Sequence, residues 1–315
     1  GQNHIDVAYQ QGTRLLQEGR YNDALAQFRV IEHDAPQSAY GPAGEGIALS
    51  LMSRPQEAVE ALKRALQIDP SFWLAQRELG IVYWSQNRKD EAVQELDPIA
   101  QLYPDDAPLN AILGEYSFAR GDYQQALAHL ARIPGQVAAD PRLGLMEAEA
   151  QLKTSRPAEA AVTLRRMVGR EGLTNEQTFK LAWLLGQAKL YGPAIDLLSH
   201  LPADYPDEFR RNYGLALAYF GAQAYDKSAE TLKALRARGN SRPELFALLG
   251  VVEEKSGHIQ DAYDAFREGI LKNPSNPQNY LNIATPACQH LNCDLAIEKL
   301  SSGIDRIPRS NELFL

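Results

Sequence analysis

The chain has 315 residues, 44% of them hydrophobic and 23% charged, so it can bury apolar surface along its whole length and has no segment with the polar bias of a disordered tail. A formal net charge of -8 argues against a nucleic-acid partner, because that affinity rests on clustered Lys and Arg. No apolar run approaches the roughly 18 residues of a membrane-spanning helix, so a soluble chain without membrane insertion is expected. Residues 1–13 lack a basic start followed by an apolar stretch, which means that a secretory signal is either absent or already removed.

In chain order, the first recurring feature is a small residue every 34 positions: Ala24, Ala58, Ala92, Ala126, Ala160, Ala194, Ser228, Ala262 and Ala296. Four residues after each comes a large apolar one, from Phe28 and Leu62 through Phe266 and Leu300. Counting from Ile5, the eighth position is always Gly or Ala, from Gly12 to Ala284, and the thirty-second is Pro at 36, 70, 104, 206, 274 and 308. Each period holds two stretches of about a dozen helix-forming residues with apolar positions three and four apart, split by a polar break such as 18–21. The unit is therefore a helical hairpin. Small residues at eight and twenty let its helices cross closely, the large residue at twenty-four fills the space beside them, and Pro at thirty-two ends the second helix.

The frame predicts nine hairpins over 5–310: 5–38, 39–72, 73–106, 107–140, 141–174, 175–208, 209–242, 243–276 and 277–310. Residues 311–315 begin either a further repeat or a cap, which a stacked array needs over its last face. Local departures are expected at Pro98 and Pro134 within second helices and at Pro286 within a first helix, as kinks or early ends. The second repeat opens with Gly41, Pro42, Gly44 and Gly46, and its helix should start late, since each interior Gly costs ~1 kcal/mol relative to Ala. Gln11, Glu45 and Glu147 stand where the seventh position is otherwise apolar.

This pattern resembles the tetratricopeptide repeat family, most plainly in the third repeat with Leu79, Gly80, Tyr83, Ala92, Leu96 and Pro104. The resemblance implies an all-α, right-handed superhelical solenoid that acts as a non-enzymatic scaffold, holding a protein or peptide in a concave groove. It also implies that first-helix positions two, five, nine and twelve form the groove wall. Those positions carry Arg77 and Trp84, then Phe118, then Phe179 and Trp183, then Arg210, Tyr213 and Phe220. Aromatic and Arg side chains dominate binding hot spots, which makes these eight the candidate partner-binding residues. The alternative is that the rings only pad neighbouring first helices. A second reading is a regulatory or recruiting arm of a larger enzyme or export or assembly machine.

The seventh repeat holds seven Lys or Arg against two acids, either a lure for an acidic peptide or a solvated outer face. The six histidines share no position in the frame, and no Gly-rich loop follows a strand pattern, so no catalytic residue, cofactor or metal is expected. Cys288 and Cys293, the only cysteines, flank His290 in the last repeat. Three readings stand: small buried apolar residues, a disulfide across the turn, or a metal site one ligand short. The disulfide reading is preferred, and with it a lean to a bacterial extracytoplasmic setting, periplasmic or secreted, over the cytoplasm.

Overall fold

A computed structural model describes residues 2–308 and 310–313. The chain forms two compact units, residues 1–155 and 156–315. The first contains α1 (Gln2–Gln17), α2 (Tyr21–Asp34), α3 (Tyr40–Leu51), α4 (Pro55–Ile68), α5 (Trp73–Ser85), α6 (Lys89–Leu96), α7 (Ala107–Ala119), α8 (Tyr123–Leu130), the short α9 (Pro134–Ala139) and α10 (Pro141–Lys153). The second contains α11 (Pro157–Met167), α12 (Asn175–Gln187), α13 (Tyr191–His200), α14 (Glu208–Gly221), α15 (Tyr225–Ala237), α16 (Pro243–Lys255), α17 (Ile259–Lys272), α18 (Pro277–Gln289) and α19 (Cys293–Arg306). There is no strand among the described residues.

Within each unit, successive helices pack as hairpins, and each hairpin packs on the next. The contact between paired helices follows from the small and large residues of the 34-residue frame. A β-carbon on Gly46 would lie 2.5 Å from the Leu62 side chain, and one on Gly250 would lie 2.2 Å from the Phe266 ring. Only glycine permits helices to approach so closely there. The small residues opposite, such as Ala58 and Ala126, are fully buried.

Left-handed residues recur 34 apart between helices: Gly19, Ser53, Asn87, Gly121, Ser155, Lys189, Gln223, Gly257 and Leu291, with φ between 58° and 83°. The turn closes by two backbone bonds that satisfy carbonyls at the end of the first helix. In one example, Gly121 N–H donates to Phe118 O at 3.0 Å and Asp122 N–H to Ser117 O at 2.9 Å. Helix starts are fixed locally: the Asp106 carboxylate accepts from Leu109 N–H, and Thr174 and Gln177 form a reciprocal capping box.

Two expected irregularities come out differently. α3 does not start late but begins at Tyr40 and runs through Gly41, Pro42, Gly44 and Gly46. Tertiary packing overrides propensity, because a β-carbon on Gly41 would meet the Glu32 backbone at 2.7 Å and one on Gly44 the Phe28 ring at 2.2 Å. Of the kink or early end expected at Pro286, the early end does not occur: α18 runs on to Gln289. Pro98 and Pro134 do interrupt: α6 stops at Leu96 and gives way to a 3₁₀ turn, Asp97–Ile99, while α8 stops at Leu130 and Pro134 opens α9. Pro fits the first turn of a helix, where its missing N–H has no partner to lose.

Glu45, a charge in an otherwise apolar stripe, is buried between two guanidiniums, with Arg29 Nε at 2.9 Å and Arg64 Nη2 at 2.5 Å. At the C-terminal end, Asn311–Leu313 form one 3₁₀ turn, and Leu313 packs against Gly303 in α19.

Candidate functional site

In the first unit the candidate groove residues are already committed. Arg77 is only 18% exposed, and its guanidinium bonds Asp106 at 2.5 Å and also the carboxylate of Glu78, so it clamps α5 to the N-cap of α7. Burial raises the Glu78 carboxyl above its ordinary range despite the adjacent Arg77. Two carboxylates from its own unit thus pair with Arg77, one of the eight candidate partner-binding residues. Trp84 packs against the buried clusters on both sides of α5, with Lys89 Nζ 5.5 Å from its ring centre. Phe118 lies edge-on to Tyr123 at 5.4 Å.

The second unit is organised differently. Trp183 and Phe220 line one apolar cleft of about 320 Å³, together with Tyr191, Leu217, Gly186 and Gly221 from α12, α13 and α14. Trp183 is 42% exposed at the rim, and Phe179, one turn earlier, stacks near it at 6.5 Å. The cleft exists because Gly186 stands where α5, α7 and α14 carry Trp84, Phe118 and Phe220; nothing lies within 4 Å of where its β-carbon would be. Its back wall is tight, since a β-carbon on Gly221 would meet the Tyr191 ring at 2.2 Å. Tyr213 stacks on Phe209 at 5.1 Å outside the cleft, and burial raises its hydroxyl pKa. Arg210 is exposed beside Asp207 at 3.4 Å and does not line the cleft.

Of the eight candidates, Trp183 and Phe220 line this cleft, and its other walls, Gly186, Gly221 and Tyr191, were not among them. The available signal was a negative one, a glycine at a frame position that carries Trp84, Phe118 and Phe220 in other hairpins. Part of the basic surplus at 209–242 is paired with neighbouring helices. Lys233 pairs with Glu253 at 2.6 Å, Arg236 with Glu268 at 3.5 Å, and Arg238 with Glu208. Arg211 donates to the α13 carbonyls of Leu198 and Ser199, and Arg242 sits 4.3 Å over the Phe209 ring. Several of these cations thus pair with neighbouring hairpins, while Arg210, Lys227, Lys233, Arg238 and Arg242 stay exposed.

Cys288 and Cys293 are both free and both exposed, which overturns the reading of them as buried apolar residues. The expected disulfide is absent from this structure, in which backbone bonds close the turn: Leu291 N–H to Cys288 O at 3.1 Å and Asn292 N–H to Ala287 O at 2.7 Å. Among the described residues, a cluster of ligand-type side chains lies elsewhere: Glu253, His258 and Asp261 have one such atom each within 4.8 Å of the others. Glu253 is buried, its carboxylate taken by Lys233 and by His258 Nδ1 at 2.9 Å, and with a lysine inside it the set is an ion-paired clamp. Burial opposes ionisation of Glu253, but Lys233 and His258 outweigh it and hold the carboxyl below its ordinary range. No helix among the described residues is long and apolar enough to cross a membrane.

The tetratricopeptide repeat family model matches residues 51–116. Over 104 residues the chain is 30% identical to the protein CTR9 homolog of Arabidopsis thaliana, an alignment covering 33% of this chain and 10% of that protein. It is 22% identical to BBSome complex member BBS4 of Bos taurus, over 88% of this chain and 60% of the relative. The chain thus spans between 10% and 60% of the length of these curated relatives. Among solved structures it shares its fold with pilF of Pseudomonas aeruginosa, at a TM-score of 0.52 and 21% identity, over 71% of this chain and 98% of that one. With helices paired as hairpins in each unit and residues 51–116 matching the family model, the chain has an all-α fold of the tetratricopeptide repeat type.

Proposed function

We propose that the chain is a non-catalytic interaction scaffold, built from the nine repeats of 5–310, that holds an extended peptide or partner segment by inserting one bulky apolar side chain into the Trp183–Phe220 cleft. Tetratricopeptide repeat proteins are in general interaction scaffolds, which supports the class of function. The observation that carries the finer reading is the cleft itself: apolar, about 320 Å³, rimmed by a half-exposed tryptophan and left empty by a glycine. A cleft of this size fits one large side chain, and burial of a single such group contributes roughly 1.5–3 kcal/mol. Phe179 and Trp183 extend the apolar rim for the residues flanking that anchor.

A library of displayed linear peptides selected against the protein tests this. Selected sequences should share one bulky apolar residue, and their affinity should fall about tenfold or more for the Trp183→Ala/Phe220→Ala double variant. Gly186→Phe should abolish capture by plugging the cleft, and because it removes a helix-interior glycine it should not lower stability. Peptides that bind the parent and both variants equally would overturn the proposal.

The recruiting-arm reading rests on one observation, that the curated relatives are longer and one is named as a complex member. A reading frame continuing past Leu315 into a catalytic or membrane domain supports it, and a stop shortly after removes it. The bacterial extracytoplasmic setting belongs to the same proposal and is checked by fractionating cells that express the full gene.

A further inference from the structure

The last hairpin carries two exposed thiols at frame positions whose side chains touch in other hairpins. Cys288 is in the last turn of α18 and Cys293 is the first residue of α19. The equivalent pairs are Phe118 with Tyr123, ring centres 5.4 Å apart, Phe220 with Tyr225 at 5.7 Å, and Trp84 with Lys89, whose ammonium lies 5.5 Å from the indole. These turns share one backbone geometry. In each, the left-handed residue donates to the carbonyl three residues before it, and the next residue donates to the carbonyl five before it, as Gln223 N–H does to Phe220 O and Ala224 N–H to Tyr219 O. The last turn repeats both bonds, with Leu291 at φ 59°. The two cysteines therefore occupy, on either side of the same kind of turn, the places of side chains that touch in those hairpins, and both are exposed. Pro286, well inside the first helix of this hairpin, has no N–H, which removes one backbone bond from α18.

We propose that Cys288 and Cys293 are a redox-responsive thiol pair that closes into a disulfide across the α18–α19 turn on reaction with a low-molecular-weight disulfide, and so couples the stability of the last hairpin to redox conditions. The exchange balances without a further oxidant. One cysteine thiolate attacks a sulfur of glutathione disulfide, forming a mixed disulfide and releasing one glutathione thiolate, which takes up a proton. The second cysteine thiolate attacks the protein sulfur of that mixed disulfide and displaces the second glutathione. Two protein thiols are oxidised by two electrons, and one glutathione disulfide is reduced to two thiols. The new link closes a short loop and opposes fraying of a helix that lacks one of its backbone bonds.

The test is intact-mass spectrometry of the full chain equilibrated in glutathione redox buffers, with Cys288→Ser and Cys293→Ser run in parallel. Both positions are exposed, so both variants should fold. The parent should lose two hydrogens and gain no glutathione, while each single variant should carry one glutathione. Amide exchange across 287–296 should slow roughly tenfold or more in the oxidised parent and stay unchanged in the variants. A parent that accumulates two glutathiones, or that forms disulfide-linked dimers on a non-reducing gel, would show that the thiols do not meet and would overturn the proposal.

Discussion

α5 and α12 occupy equivalent places in their hairpins, yet one is closed and the other open. At the twelfth frame position α5 carries Trp84, wedged against two buried clusters, and α12 carries Gly186, which leaves a cleft. At the fifth, α5 carries Arg77 tied to two carboxylates, while α12 carries Phe179 stacked beside an exposed tryptophan. A side chain on the groove face is available to a partner only when neighbouring hairpins have not already used it. Residue type alone does not tell the two cases apart.

The largest effect that sharpens this contrast concerns the two candidate arginines. Arg77→Ala leaves Asp106 and Glu78 without their cation in a mostly buried site, and breaking a buried pair in this way costs about 3 kcal/mol. Arg210→Ala removes one exposed partner of an exposed aspartate, a change worth about 0.5 kcal/mol or less. Urea unfolding of the two variants measures both. Equal losses would mean that Arg77 is as free as Arg210 and that the contrast between the two faces is false.

A smaller effect comes from the hairpin turns. Lys189, Gln223 and Leu291 hold φ near 60°, which costs an L-residue with a β-carbon about 1 kcal/mol, whereas Gly121 holds the same conformation without strain. Lys189→Gly should therefore raise stability by about 1 kcal/mol, and Gly121→Ala should lower it by about the same amount. Thermal melts of the two variants should shift in opposite directions. A shift in one direction for both would mean that the two turns are not equivalent.

These turns also show what the sequence could reveal. Spacing exposed the hairpin frame because close helix crossing demands a small residue at fixed points and a large one beside it; Gly46 against Leu62 is that demand made physical. The left-handed turn position has the same period but tolerates Ser, Asn, Lys, Gln and Leu, so only Gly19, Gly121 and Gly257 hint at it in the text of the chain. Trp183 and Phe220 were visible as large apolar residues on a groove face. The space between them was not, because a cleft is made by what is missing, here the side chain of Gly186. The ion pair of Arg77 was hidden because Asp106, the N-cap of α7, lies 29 residues away at the far end of the repeat. For the same reason the surplus of positive charge at 209–242 looked free, although Glu253 and Glu268 in the following hairpin hold Lys233 and Arg236.

The smallest predicted effect separates the two units by pH. In the first, the Asn110 amide donates to Pro104 O and Asp106 O, so its oxygen is left to accept from His129 Nδ1–H at 3.0 Å. The proton that titrates is then at Nε2. Burial, aided by the charge of Arg132, lowers the His129 pKa below its ordinary 6.5, with Asp97 opposing. The folded state thus prefers the neutral ring, and the stability this gives is present above pH 6.5 and is lost as pH falls through the folded value. In the second unit Glu253 is held ionised below its ordinary 4.5, so its contribution is present above 4.5 and is lost only as pH falls further. On acidification, amide exchange should therefore accelerate first in α7 and α8 and later in α15 and α16. His129→Gln keeps a donor toward Asn110 but cannot titrate, and should remove the first step alone, while Glu253→Gln should remove the second. If both helix pairs loosen together in the parent, or if His129→Gln leaves the first step in place, the buried histidine is not what makes the first unit the more acid-sensitive of the two.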